Sequence, residues 1–245
     1  MAPIGPEFMG KTRHEHLGVP DQQAGVPQPP LELPPDPAQP TRPLPDPTTV
    51  QAGPVELREL IERRRSVRQY APAPLNLAEL GYLLWCTQGV RGVVPGQATF
   101  RTVPSAGARH AFETYVLANR VEALPAGIYR YVATRHELAT VSVAPDAASA
   151  VTRACFGQAF VMDSAATFLW SAVAVRMTWR YGQRGYRYLH LDAGHVCQNL
   201  YLAAESIGCG VCAVAAFDDD ALNAVLGLDG AEQFVVYLAA AGRKP

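Results

Sequence analysis

Three arginines, a serine and a fourth arginine stand together in Arg63-Arg64-Arg65-Ser66-Val67-Arg68. Guanidinium groups bind phosphate in bidentate fashion and keep their charge at any physiological pH. A hydroxyl beside them adds a further donor. The run therefore suits a phosphate group. The plain alternative is a solvated basic helix end, whose charge complements the negative end of the helix dipole. Near the C-terminus, Gly242-Arg243-Lys244 offers two more cations directly after an apolar segment.

Pro104-Ser105-Ala106-Gly107-Ala108 is a run of small residues that lets backbone approach a flat ligand closely, though any tight turn would look similar. Asp192 to Leu200 contains Gly194 and His195 inside a helical pattern. A glycine there costs about 1 kcal/mol against alanine, so close packing against a helix or ligand is expected at Gly194. His195 reads as a hydrogen-bonded interface histidine rather than a catalytic one. Gly208 to Phe217 is another small-residue passage, ending in Ala215-Ala216-Phe217. Its Cys209-x-x-Cys212 has no second pair to complete a zinc site, and no metal is expected. A redox pair would open a helix after a strand, whereas this one leaves a helix and enters a strand.

The elements that must position these groups follow from periodicity. Helices are expected over Val55 to Arg65, from an N-cap at Asn76 to Gln88 with Gly89 as the stop, over Ala147 to Cys155, over Leu189 to Ile207 with Gly208 as the stop, and over Asp219 to Leu226. Strands are expected at Phe112 to Ala118, Ala165 to Val175, Val211 to Ala215 and Phe234 to Ala241. Ile128 to Val132 and Leu138 to Val143 should form a hairpin turning at Thr134 to His136. The class is α+β. No G-x-G-x-x-G or G-x-x-x-x-G-K-[ST] occurs, which argues against a Rossmann domain or a P-loop.

Ahead of that domain, 14 of the 21 prolines lie at or before Pro54. Residues 1–54 are expected as an extended arm, with neither helix nor central strand. It would be a loose linker, or a strap over the domain or a partner subunit, with Leu31, Leu33 and Leu44 as anchors. Residues 1–8 resemble a cloning scar and are left out of the fold reading. Residues 55–245 would form the single domain.

The chain has 245 residues, 49% of them apolar, and a net charge of −1. That supports a sizeable core and carries no electrostatic footprint for nucleic acid. The apolar runs are too short for a membrane span, and no secretory leader stands at the start. Five cysteines without framework spacing favour a reducing cytoplasm.

Taken in order, the motifs resemble the nitroreductase superfamily, and within it the SagB-type (thiazole/oxazole oxidase) branch. The resemblance rests on Arg64-x-Ser66-x-Arg68, on Arg101-Thr-Val-Pro-Ser-Ala-Gly107, and on Arg184-Gly-Tyr-Arg-Tyr188 followed by Asp192 to Leu202. Leu226-Gly-Leu-Asp229 with Gly242-Arg243 completes it. It covers the chain from about Val55 onward. It implies a central, mostly antiparallel sheet flanked by helices, in a homodimer with FMN at the interface. Arg64, Ser66, Arg68 and Arg243 would hold ribityl and phosphate. Pro104, Ser105, Ala106 and Gly107 would reach the ring, from the other subunit. Amides near Ala215 and Ala216 would face N5 and O4.

The branch oxidises azoline rings, and a Lys-Tyr pair is implicated in it. Here Trp179-Arg180-Tyr181 occupies that place. Arginine is no base at neutral pH, so Tyr181 would take that role with Arg180 beside it. The same residues would otherwise be an interface packing element. The implied substrate is a small molecule or a peptide-derived one. A nicotinamide-driven nitro or quinone reductase is the second reading, and a non-catalytic scaffold subunit the third. Pocket-lining residues are expected in Arg91 to Phe100 and Ala154 to Ser164.

Overall fold

A computed structural model describes residues 3–52 and 56–245. Its helices are α1 (Ile4–Lys11), α2 (Leu57–Arg63), α3 (Leu77–Gln88), α4 (Ala147–Ala154), α5 (Ala159–Asp163), α6 (Ala174–Tyr181), α7 (Gly185–Ser206) and α8 (Asp219–Leu226). The strands are β1 (Thr41–Pro43), β2 (Val90–Val94), β3 (Ala98–Arg101), β4 (Phe112–Ala118), β5 (Gly127–Val132), β6 (Glu137–Ser142), β7 (Ala166–Val173), β8 (Cys209–Val214) and β9 (Gln233–Arg243).

Seven strands form one sheet in the order β1-β6-β5-β4-β7-β9-β8, every neighbour antiparallel. β2 and β3 form a separate hairpin, in the stretch where the sequence showed no pattern. The central strands β4, β5 and β7 are buried along their whole length, because helices cover both faces. Side chains alternate across the pleat. Val116, Phe168 and Trp170 meet α3 and α7 residues such as Leu84, Val196 and Leu200. Leu117 and Leu169 point the other way, to Val151 of α4 and Leu222 of α8.

Local chemistry sets the helix ends. Asn76 accepts from the Glu79 amide at 2.9 Å while Glu79 accepts from the Asn76 amide at 2.9 Å, a reciprocal cap on α3. Gly208, with φ of +72°, ends α7. The expected helix start at Val55 and the arm boundary at Pro54 lie outside the described residues.

Three expectations need correction. The run Ala165 to Val175 is not one strand: β7 stops at Val173 and α6 begins at Ala174. The proline-rich N-terminal stretch does contain a helix, α1, which tolerates Pro6 because it lies in the first turn, where amides lack helical partners. Gly194 packs against nothing in its own chain; no atom lies within 4 Å of where its Cβ would stand.

The arm crosses the domain surface. β1 pairs with β6, and Leu44 is buried against the core. Upstream, the Leu33 amide donates to Glu113 at 2.8 Å, and Arg130 donates to the carbonyls of Leu33 and Pro34 at 3.0 and 2.9 Å. Glu113, 2% exposed, also holds Arg130 at 2.7 Å and Arg176 at 2.6 Å. Buried charges of this kind are tolerable only when paired and fully hydrogen-bonded, and the arm's main chain supplies several of those bonds.

Candidate active site

Beyond α2 the chain runs extended alongside the edge strand β8. Ser66 bridges to Val211, and the Val67 amide donates to the Val211 carbonyl at 2.9 Å. Only glycine suits position 210: an added Cβ would lie 2.6 Å from a Val67 methyl. Tyr201 of α7 ties the loop down. Its hydroxyl lies 3.1 Å from the Ser66 hydroxyl and accepts from the Ala213 amide at 2.9 Å. The Arg64 guanidinium lies over the Tyr201 ring, 5.3 Å from its centre.

A cavity of about 470 Å³ opens here, lined by Arg65, Ser66, Val67, Arg68, Gln69, Lys244 and Pro245. Its cations and hydroxyl form a donor set for a phosphate. Arg243 is not among the lining residues. Its guanidinium pairs with Glu79 at 2.5 Å and donates to the Ile207 carbonyl at 2.9 Å. Its neighbour Lys244, paired with Glu205, lines the cavity instead.

Ala215 and Ala216 follow β8 and are exposed. Ala215 stands four residues beyond Val211, about 13 Å along extended chain. The phosphate-type donor set and the small-residue passage thus lie along one strand. Gln158 donates to the Ala216 carbonyl at 2.9 Å, so part of the segment 154–164 steadies this passage.

The second half of the site is the turn after β3. Ala106–Ala108 form a tight turn in which Gly107 has φ of +57°. The Ala106 amide donates to Asp192 of α7 at 3.3 Å, and the Ser105 hydroxyl accepts from the His110 amide at 2.9 Å. Arg109 donates to the Gly107 carbonyl at 2.9 Å and lies over the Trp179 ring. Gly107 directly faces α6: a Cβ there would stand 2.4 Å from the Tyr181 hydroxyl and 2.8 Å from Arg180 Nε. Arg180 lies over the Tyr181 ring, which meets Tyr188 edge-on at 4.8 Å. The structure therefore brings Gly107, Arg180 and Tyr181 together. Pro104 is exposed at the start of the same turn.

Asp192 is a residue whose role the sequence did not disclose. It is 4% exposed, one carboxylate oxygen holds the Ala106 amide, and the other has no partner among the described residues. Burial pushes its carboxyl up from the usual range, opposed by hydrogen bonds from Ser105 and Ala106. His195 is exposed on the outer face of α7 beside Gly194. Cys209 and Cys212 are free and buried, and burial pushes the Cys209 thiol up to about 11, so neither is poised as a nucleophile. Among the described residues no cluster could hold a metal, and no helix is long and apolar enough to cross a membrane. Arg91 lines a further cavity of about 390 Å³ with Trp85, Thr102 and Asn199.

The chain is thus an α+β protein with an all-antiparallel sheet between helices, a cationic cavity at one edge and a glycine turn against an Arg-Tyr pair. The chain belongs to the nitroreductase family, whose family model matches residues 61–243. It is 34% identical over 190 residues to a protein of Methanocaldococcus jannaschii bearing the nitroreductase name, covering 78% of this chain and 92% of that one. Trifolitoxin-processing protein TfxB of Rhizobium leguminosarum bv. trifolii is 28% identical over 162 residues. That match spans 61% of this chain but 41% of TfxB. A nitroreductase-family structure from Ralstonia eutropha superposes with a TM-score of 0.69 at 25% identity, covering 87% of this chain and 96% of the other. The fold also matches a Desulfovibrio desulfuricans family structure in complex with FMN, with a TM-score of 0.56 at 16% identity, over 78% and 87% of the two chains. The family is one of flavin-type oxidoreductases, and the expected α+β architecture is the observed one.

Proposed function

We propose that this chain is an FMN-dependent dehydrogenase of the SagB type, oxidising an azoline-like or related heterocycle in a small or peptide-derived substrate. The observation that carries the reading is the convergence of Gly107 with Arg180 and Tyr181, which sets a phenol and a fixed cation against a small-residue turn. The similarity to TfxB, by name a trifolitoxin-processing protein, supports a natural-product precursor as substrate.

The residues present fit FMN. Ser66 and Arg68 in the cavity with Lys244, and Arg64, which lies over Tyr201 outside the cavity lining, would hold its ribityl-phosphate end. Arg243, clamped by Glu79, would support that end by fixing the strand that leads to Lys244. Amides at Ala215 and Ala216 would serve the ring, where fixed main-chain donors stabilise developing negative charge. Pro104, Ser105, Ala106 and Gly107 would approach the ring from the other subunit. FMN, when bound, supplies the hydride acceptor. Tyr181, in its phenolate form beside the Arg180 cation, would take the α-proton of the substrate and become a neutral phenol.

A homodimer follows from the same reading. α2 packs on α7, and the two helices expose Leu57, Ile61 and Leu191, each more than half accessible, while Gly194 of α7 also lies open. Exposed apolar groups of this size on two packed helices suit a second copy.

The test is an absorption spectrum of the purified protein with its mass in solution, followed by anaerobic NADH or NADPH. A flavin-coloured dimer that resists nicotinamide but oxidises a thiazoline supports the reading. Rapid bleaching by nicotinamide favours a nitro or quinone reductase, the activity in the name of the M. jannaschii relative. A colourless protein that fails to take up added FMN removes the enzyme reading.

A further inference from the structure

Eight-residue α6 is too short to hold itself in place as a helix, so its surroundings set the position of Arg180 and Tyr181. Those surroundings include the N-terminal arm. The Gln22 amide donates to the Trp179 carbonyl at 2.8 Å, and the Trp179 indole N–H donates to the Val26 carbonyl at 2.8 Å. One turn back, Arg176 donates to the Pro30 carbonyl at 2.7 Å while pairing with Glu113. Gln28 donates to the Gln97 carbonyl at 2.9 Å, which also accepts from Arg109 at 2.9 Å. Arg109 in turn holds the Gly107 carbonyl and lies 5.5 Å over the Trp179 ring.

Trp179, 6% exposed, thus touches the arm through its indole N–H and main-chain carbonyl, and touches the Gly107 turn through Arg109. Among the described residues, no other α6 side chain both donates to the arm and packs on Arg109. We propose that Trp179 is a positioning residue and that arm residues 22–34 belong to the catalytic assembly, fixing Arg180 and Tyr181 against the Gly107 turn. This rests on the reading that Tyr181 acts on the substrate. The arm is then a working part of the enzyme rather than a tether. Its proline content serves that role, since a chain with restricted φ loses less entropy when it is laid across the surface.

The experiment compares the full chain with Trp179→Phe and, as a milder change, Gln28→Ala. Phenylalanine keeps an aromatic face for Arg109 but removes the indole N–H. Three readouts are taken: flavin absorption, steady-state turnover of a synthetic thiazoline-4-carboxamide, and amide hydrogen exchange. The expected result for Trp179→Phe is unchanged flavin content, a kcat lower by about tenfold, the scale of loss for a slightly displaced reacting group, and KM within about twofold. Exchange should quicken together in residues 22–34 and 176–182. Gln28→Ala should show the same pattern more weakly. Unchanged kcat, or faster exchange in the arm alone, overturns the proposal. A colourless wild-type protein would overturn the flavin reading instead, while the exchange data still report whether the arm and α6 are coupled.

Discussion

A Cβ on Gly107 would stand 2.4 Å from the Tyr181 hydroxyl, and the glycine that avoids this contact has φ of +57°. Two independent penalties therefore guard the position. Gly107→Ala adds left-handed strain of about 1–2 kcal/mol and forces Tyr181 or the turn to move. The expected outcome is a folded protein that binds FMN more weakly and, when saturated with FMN, turns over at least about tenfold more slowly. Equal turnover would show that Tyr181 has no fixed task there.

Tyr201 separates two contributions to the proposed FMN site. Tyr201→Phe removes the hydroxyl shared by Ser66 and the Ala213 amide but leaves the ring under Arg64. At about 1 kcal/mol per hydrogen bond, FMN affinity should fall several-fold. Tyr201→Leu also removes the cation–π contact and should weaken binding further, by about 0.5–1 kcal/mol. Quenching of FMN fluorescence on titration measures both, and identical dissociation constants in all three proteins would disprove the arrangement.

Glu113 sits between two buried arginines and an arm amide. Glu113→Gln leaves both guanidiniums without a counter-charge in the interior. Stability should drop by about 3–5 kcal/mol, read from urea unfolding. Proteolysis should also cut the arm near Leu33 sooner than in the parent protein.

His110 makes stability depend on pH. Burial, with Arg101 and Arg109 nearby, lowers it from 6.5 to about 3, and burial lowers His136 as well. The folded protein keeps His110 neutral while the unfolded chain takes up a proton below about 6.5, so acid favours unfolding. This contribution is complete above pH 6.5 and is lost as the pH falls toward 3. His110→Asn tolerates the positive φ of +41° and should flatten the melting temperature between pH 4 and 6.5. An unaltered pH profile would assign the acid sensitivity to other groups.

Local rules made much of the scaffold readable. Asn76 and Glu79 announce the start of α3, Gly208 the end of α7, and the alternation through Val116 and Leu117 a two-sided strand. The cationic run was visible because its members are neighbours in sequence, and Ser66 and Arg68 of it line a cavity. What stayed hidden depends on distant partners. Apolar residues continue from β7 into α6, so nothing local marks the change at Ala174; it depends on burying Arg176 against Glu113, 63 residues away. Many of the arm's attachments use its main chain, which carries no residue signature. Asp192 looked like part of a helix motif, since its partner Ala106 offers only a backbone amide. Arg243 seemed free for phosphate because Glu79 is far off in sequence.

The order of strands also bears on how the protein behaves in a crowded solution. A sheet has two rims, and each bare rim invites another chain to add itself. At one rim, β1 lies along β6 and ends in Pro43, which has no N–H to offer a newcomer. At the other, the Ser66–Val67 stretch lies along β8 and already occupies the Val211 carbonyl. The stretch that gathers the phosphate donors therefore also blunts an adhesive edge. Substitutions that pry it from β8 would trade a cofactor defect for self-association.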